Sequence, residues 1–157
     1  MRLNTQCTPA VLVSDRVLSN VWWPVQIRVG LPDNTAKALV MWLNSTLGLL
    51  ILLSSRAETE GAWVDFKKPT LQAMPVLDLT KLGGDDINLM SSTFDEIARQ
   101  SIQPLKDIAT DPARRRIDEV VCQVLRLPNL SDLRHSLGIE PILSLAPLRP
   151  RFLLGSS

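Results

Sequence analysis

The feature that most constrains this chain is an apolar stretch at residues 36–55, AKALVMWLNSTLGLLILLSS. Its apolar residues recur three and four positions apart, which is typical of one face of an α-helix. These positions are Ala36, Leu39, Val40, Leu43, Leu47, Leu50 and Ile51. Asp33 or Asn34 stands just before the stretch and can cap the free N–H groups. The pattern therefore predicts one long central helix.

A membrane span is the first alternative for this helix. Its unbroken apolar run, residues 47–53, is short and follows the polar residues Asn44, Ser45 and Thr46. A span needs roughly 20 apolar residues. A buried core helix with no membrane role is the better interpretation, and Gly48 within it indicates close packing against another part of the backbone.

Short strands are predicted on both sides of the helix. Residues 9–14 and 21–29 are apolar, and residues 63–67 alternate between apolar and polar side chains, which is typical of a half-buried strand. Residues 75–79 follow after one helical turn. We therefore predict an α+β fold, with a small mixed sheet packed on the long central helix and followed by a helical C-terminal part.

Three regions are expected. Residues 1–82 form the α+β unit, and two glycines at positions 83 and 84 mark a boundary. Residues 83–140 show helical periodicity and form a helical extension, and residues 141–157 form an extended or disordered tail. Pro104 predicts a break in the extension, and Asp111 is expected to cap the helix that follows it.

Composition argues against several classes of function. The formal net charge is only +1, which does not indicate a general nucleic-acid binder. The two cysteines are far apart and there is one histidine, so a zinc site is not predicted. The acidic pairs at 85–86 and 118–119 are interpreted as helix N-terminal acids and a solvated face rather than metal ligands. Reduced thiols and a polar N-terminus favour the cytoplasm.

One resemblance points to DNA. The chain has a helix with an NS-small-G segment, followed by a glycine, a strand, a K-x-x-L turn and a P-V strand. This order resembles the C-terminal target-recognition region of adenine-N6 DNA methyltransferases from bacterial restriction-modification and phage-defence systems. The matching residues are Asn44, Ser45, Thr46, Leu47, Gly48, Gly61, Lys68, Leu71, Pro75 and Val76. A helical tail in that family resembles the segment with Arg114, Ile117, Asp118, Glu119 and Val121.

The resemblance implies the recognition part of such an enzyme without its catalytic part. Methyl transfer needs a glycine-rich loop for S-adenosylmethionine and an N-P-P-Y-like loop for the flipped base, and this sequence contains neither. We therefore expect no catalytic residue and no cofactor. The expected function is a DNA target-recognition module, with double-stranded DNA and a separate methyltransferase subunit or domain as partners.

Several polar and aromatic side chains are candidates for DNA contact. They are Asn44, Ser45, Arg56, Trp63, Lys67, Lys68, Arg114, Arg115 and Arg116. Lysine and arginine suit phosphate oxygens, and a tryptophan can stack on a base. The alternative is a protein–protein interaction or oligomerisation module, including a homodimer, that uses the apolar helix and the tryptophans and has no role with nucleic acid.

Overall fold

The computed structural model describes residues 2–4, 9–15, 24–27, 30–56 and 63–140, with the backbone alone for residues 2–4 and 63–65. Within these residues the chain forms six α-helices, two three-residue strands and two short 3-10 helices. In chain order the helices and strands are β1 (Arg2–Asn4), α1 (Asn34–Asn44), α2 (Thr46–Ser54), β2 (Trp63–Asp65), α3 (Lys68–Ala73), α4 (Gly84–Ile97), α5 (Pro112–Leu125) and α6 (Ser131–Ile139). The 3-10 helices are Leu79–Lys81 and Leu105–Asp107.

The main core lies between α1, α4 and α5. Met41 and Trp42 of α1 pack with Met90 of α4 and with Ile117 and Val121 of α5, and all five are buried. Each of these helices contributes residues three or four positions apart, so each turns one apolar face inward. This core includes residues on both sides of the boundary expected at 82–83, so the two regions meet in one hydrophobic cluster.

A second, smaller core holds α2. Leu49 and Leu53 of α2 pack against Leu105, Ile108 and Leu137. Gly138 of α6 allows the close approach, since a Cβ there would lie 3.3 Å from the Cγ2 of Ile108. The second core therefore joins α2 to the Leu105–Asp107 turn and to α6.

The predicted single central helix is wrong. The chain breaks at Ser45, where α1 ends and α2 begins at an angle of 69°. Ser45 itself is extended, with φ −68° and ψ 161°. Ser, Thr and Asn side chains compete for nearby backbone groups, and three such residues in a row favour an interruption over a continuous helix.

The predicted α+β fold class, with a mixed sheet on the helix, is also wrong, since the described part of the chain is predominantly helical. Its β structure there is one antiparallel ladder of three residue pairs between β1 and β2. Residues 9–14 form no strand, and neither do residues 24–27. The remainder of the predicted 21–29 strand lies outside the described residues, and only the 63–67 prediction coincides in part with a strand, β2.

Residues 75–79 were also predicted as a strand, and this prediction is wrong for a local reason. Pro75 has no N–H to donate to a ladder. Asp78 accepts hydrogen bonds from the backbone N–H and the hydroxyl of Thr80, at 3.2 and 2.6 Å, and so starts the Leu79–Lys81 turn. The hydroxyl bond lowers the pKa of the Asp78 carboxyl.

No single helix among the described residues is both long and apolar enough to cross a bilayer. The α1–α2 pair reaches that length and hydropathy only when both helices are counted together across their bend.

Candidate nucleic-acid interface

The break between α1 and α2 is built from side-chain hydrogen bonds. Ser45 caps α2, because its Oγ accepts from the N–H of Gly48 at 3.1 Å, and the same hydroxyl donates to the Trp42 carbonyl at 2.6 Å. Asn44 donates from Nδ2 to the carbonyls of Val40 and Ala10 and accepts from the Ala10 N–H, at 2.9–3.0 Å. The polar triplet therefore satisfies backbone groups that the break leaves open.

Thr46 ties the break to α5 and α6 through one carboxylate. Asp118 accepts from the Thr46 backbone N–H at 2.8 Å and from its hydroxyl at 2.7 Å. Arg134 of α6 donates to the same carboxylate at 2.7 Å. All three side chains are buried, so this is a charge pair with its hydrogen-bond partners inside the protein.

A second buried pair flanks the first. Asp111 caps α5, as predicted, by accepting from the N–H groups of Ala113 and Arg114, and it also accepts from the Gln103 N–H at 2.9 Å. The Arg114 Nε lies 3.6 Å from Asp111, and its Nη1 donates to the carbonyl of Asn44 at 3.2 Å. We call this connected group the polar break: Asn44, Ser45, Thr46, Asp111, Arg114, Asp118 and Arg134.

Three of the predicted DNA-contact residues belong to the polar break. Asn44, Ser45 and Arg114 are 4%, 0% and 1% exposed. A duplex cannot reach side chains with so little accessible surface, so in this structure their role is to hold the bend. Asp118, interpreted from sequence as part of a solvated face, is likewise buried, and that interpretation is wrong.

The other two arginines of the cluster on α5 are accessible, and acids lie beside one of them. Arg115 is exposed. Arg116 is 3.3 Å from Glu96 and 3.8 Å from Glu119. Arg56 is half-buried at the end of the 30–56 segment, and the side chain of Trp63 lies outside the described residues. The surface around Arg116 therefore combines both signs of charge.

Lys67 and Lys68 lie in a different setting. Phe66, only 2% exposed, anchors the chain just before them, and α3 then contains no buried residue. Neither lysine forms an ion pair or a hydrogen bond with another side chain in the part of the chain that the structure describes. Residues 66–77 contain no Asp or Glu. We call residues 67–73 the basic ridge.

Other features of the described residues do not indicate a metal-binding or catalytic site. They bring together no three His, Cys, Asp or Glu side chains that could hold a metal ion. A cavity of about 280 Å³ beside α1, α4 and α5 has no titratable side chain in its described lining. Burial raises the pKa of the Cys122 thiol, with the nearby Asp118 carboxylate as a second cause, so this cysteine is a poor nucleophile.

The site residues predicted from the sequence did not include Asp111, Asp118 or Arg134, which all belong to the polar break. A signal was present, since Arg114, Ile117, Asp118 and Val121 follow helical spacing and share one face of α5. A charge in line with an apolar stripe indicates a buried ion pair as readily as a surface contact. Comparison with known proteins adds no further guide: no family model, no curated protein and no solved structure matches this chain.

Proposed function

We propose that this chain is a non-catalytic DNA target-recognition module that works with a separate methyltransferase subunit or domain. The observation that supports the proposal is the basic ridge, where Lys67 and Lys68, at the start of a helix with no buried residue, are exposed and form no ion pair with the described residues. The motif resemblance and the lack of methyltransferase loops in the sequence point the same way. The cytoplasm stays the expected compartment.

Charge favours the ridge over α5 as the contact with a duplex. Phosphate contacts come chiefly from lysine and arginine, and each releases condensed counterions. On the ridge no acid lies within residues 66–77, whereas Arg116 already has two carboxylates beside it. A phosphate at Arg116 would have to displace those acids, whereas Lys67 and Lys68 form no ion pair with another residue that the structure describes.

A duplex titration at several salt concentrations tests the proposal. With two phosphate contacts, affinity falls roughly ten-fold between about 50 and 200 mM salt. The matched variant is Lys67→Glu with Lys68→Glu, which reverses both ridge charges and is expected to abolish binding. If the unaltered chain shows no salt-sensitive binding to any duplex, the proposal is overturned.

The protein-interaction alternative has one observation in its favour. Val11, Leu12 and Val13 are consecutive, apolar and 45–54% exposed, and no hydrogen bond holds them to the rest of the described chain. Light scattering distinguishes the two functions. A tight dimer that Val11→Ser with Val13→Ser dissociates, together with no duplex binding, would favour the oligomerisation module. A monomer that binds duplex favours the DNA module.

A further inference from the structure

We propose that α3 is the element that enters the major groove, and that Gln72 contacts an adenine there while the lysines hold the phosphates. This inference rests on the proposed function and names the side chains that would give the module its specificity. The two lysines alone cannot do so, because phosphate contacts carry no sequence information.

The exposure pattern orients α3. Leu71 is half-buried, and the other five residues of the helix are exposed. With about 100° between successive residues, Pro69 and Ala73 lie opposite Leu71, on the outer face. Lys68 and Gln72 are four positions apart and therefore share one flank, and Thr70 lies on the other flank. The helix thus presents a small outer face between two polar flanks.

This arrangement suits a groove floor bordered by phosphates. An α-helix with its side chains is about 10–12 Å across, and the major groove is about 12 Å wide. Gln72 has a free amide to pair with the N6 and N7 positions of adenine, and Thr70 has a hydroxyl that suits any base. The Ala73 methyl suits the methyl of thymine. Lys68, one turn before Gln72, and Lys67 just outside the helix are placed for the backbone.

Gln72 and Thr70 have no other side-chain partner in the part of the chain that the structure describes. Among the described residues, no hydrogen bond is formed by either side chain, and both are exposed. Gln123 makes a useful contrast, since it is an equally exposed glutamine on α5, near its C-terminal end. It carries the same amide but lies outside the ridge, so it serves as the matched control.

The test is selection from a random duplex library with the full chain, followed by sequencing of the bound fraction. We expect the unaltered protein to enrich a motif that includes an adenine. Gln72→Ala should reduce the preference at that one position by roughly 5- to 150-fold, the range of a lost bidentate pair. Gln123→Ala should leave the motif unchanged, and Lys67→Ala with Lys68→Ala should weaken binding to all sequences alike.

Two results overturn the inference but leave the proposed function standing. One is a motif that Gln72→Ala leaves intact, whatever the effect of Thr70→Val. The other is salt-sensitive binding with no enriched motif. If the unaltered protein shows no salt-sensitive duplex binding, both the inference and the proposed function are overturned. Circular dichroism of each variant shows that its helices are intact, which is expected because none of the substituted side chains is buried.

Discussion

The polar break and the basic ridge use similar residues for opposite purposes. The break contains Asn, Ser, Thr, Asp and Arg side chains that are all at most 5% exposed. The ridge has Lys, Thr and Gln side chains that are all exposed. In the break every residue is bonded to a neighbouring element, whereas the ridge lysines have no partner in the described chain. Residue type therefore does not indicate which polar residues contact a ligand.

Substitutions in the polar break and in the basic ridge should also change different properties, stability in the first and binding in the second. Removal of one member of a buried, bonded group leaves its partner desolvated and unpaired, and this costs free energy of unfolding. Removal of an exposed, unpaired side chain leaves no buried group without a hydrogen-bond partner. Substitutions in the break should therefore destabilise the protein, and substitutions in the ridge should change only what it binds.

The largest expected effect is at Asp118. Asp118→Ala leaves the Arg134 guanidinium buried without its 2.7 Å carboxylate partner and leaves Thr46 without its acceptor. We expect a loss of about 3–5 kcal/mol in the free energy of unfolding, measured by urea titration. The control is Asp95→Ala, which removes an equally short but exposed ion pair to Lys37. It should cost at most about 1 kcal/mol, and equal losses in the two variants would contradict the account.

A smaller loss is expected at Gly48. A Cβ there would overlap the carbonyl oxygen of Trp42 and lie 2.9 Å from the Cα of Leu43, so the bend must open to accept it. Gly48→Ala should therefore destabilise by about 1–3 kcal/mol in thermal or urea unfolding. Gly84→Ala meets nothing within 4 Å and should stabilise slightly. An unchanged stability for Gly48→Ala would show that the bend is not tightly packed.

The cap at Ser45 should have a moderate effect. Ser45→Ala removes the acceptor for the Gly48 N–H and the donor to the Trp42 carbonyl. Loss of an N-cap typically costs about 1 kcal/mol, and we expect that reduction in the urea midpoint analysis. Ser92→Ala on α4 removes an exposed hydroxyl that bonds within its own helix. It should be neutral, and a larger loss there than at Ser45 would reverse the expected order.

The smallest effect on stability is expected from the ridge. Lys67→Ala with Lys68→Ala, and separately Gln72→Ala, should change the free energy of unfolding by no more than about 0.5 kcal/mol, because these side chains are exposed and form no hydrogen bond with other described residues. Calorimetric scans of the three proteins measure it. A loss of several kcal/mol would mean that the ridge is a structural element, and the contrast with the polar break would disappear.

The sequence correctly predicted the features that depend only on neighbouring residues. The break near Pro104 and the cap at Asp111 follow from local chemistry, and both are present. The bend at Ser45 has a local cause in the Asn, Ser and Thr side chains and a distant one in Asp118, which lies 72 residues after Thr46 in sequence. No periodicity within residues 36–55 could show that a distant carboxylate would accept the Thr46 N–H, so the stretch was predicted as one helix.

The sheet was overpredicted for a related reason. Alternation over three to five residues indicates a strand only if a second strand is available to pair with it. Val64 has such a partner in Leu3, whereas no strand forms in residues 9–14 or 75–79. Among the site residues, sequence alone could place Lys67 and Lys68 beside a strand and a turn. Helical spacing already places Arg114 in line with Ile117 and Val121, but it could not show that Asn44 and Asp111 would be its partners inside the protein.

Whether the basic ridge holds the duplex by its two lysines is tested by the effect of salt on duplex binding in three proteins. These are the unaltered chain, the Lys67→Ala, Lys68→Ala variant, and a Lys37→Ala, Lys81→Ala variant that loses the same charge from lysines already paired with Asp95 and Asp78. We predict that the ridge variant has a log affinity–log salt slope shallower by roughly 2, and that the control variant keeps the original slope. Equal slopes in the ridge variant and the unaltered chain, or an equal loss in both variants, would contradict this prediction.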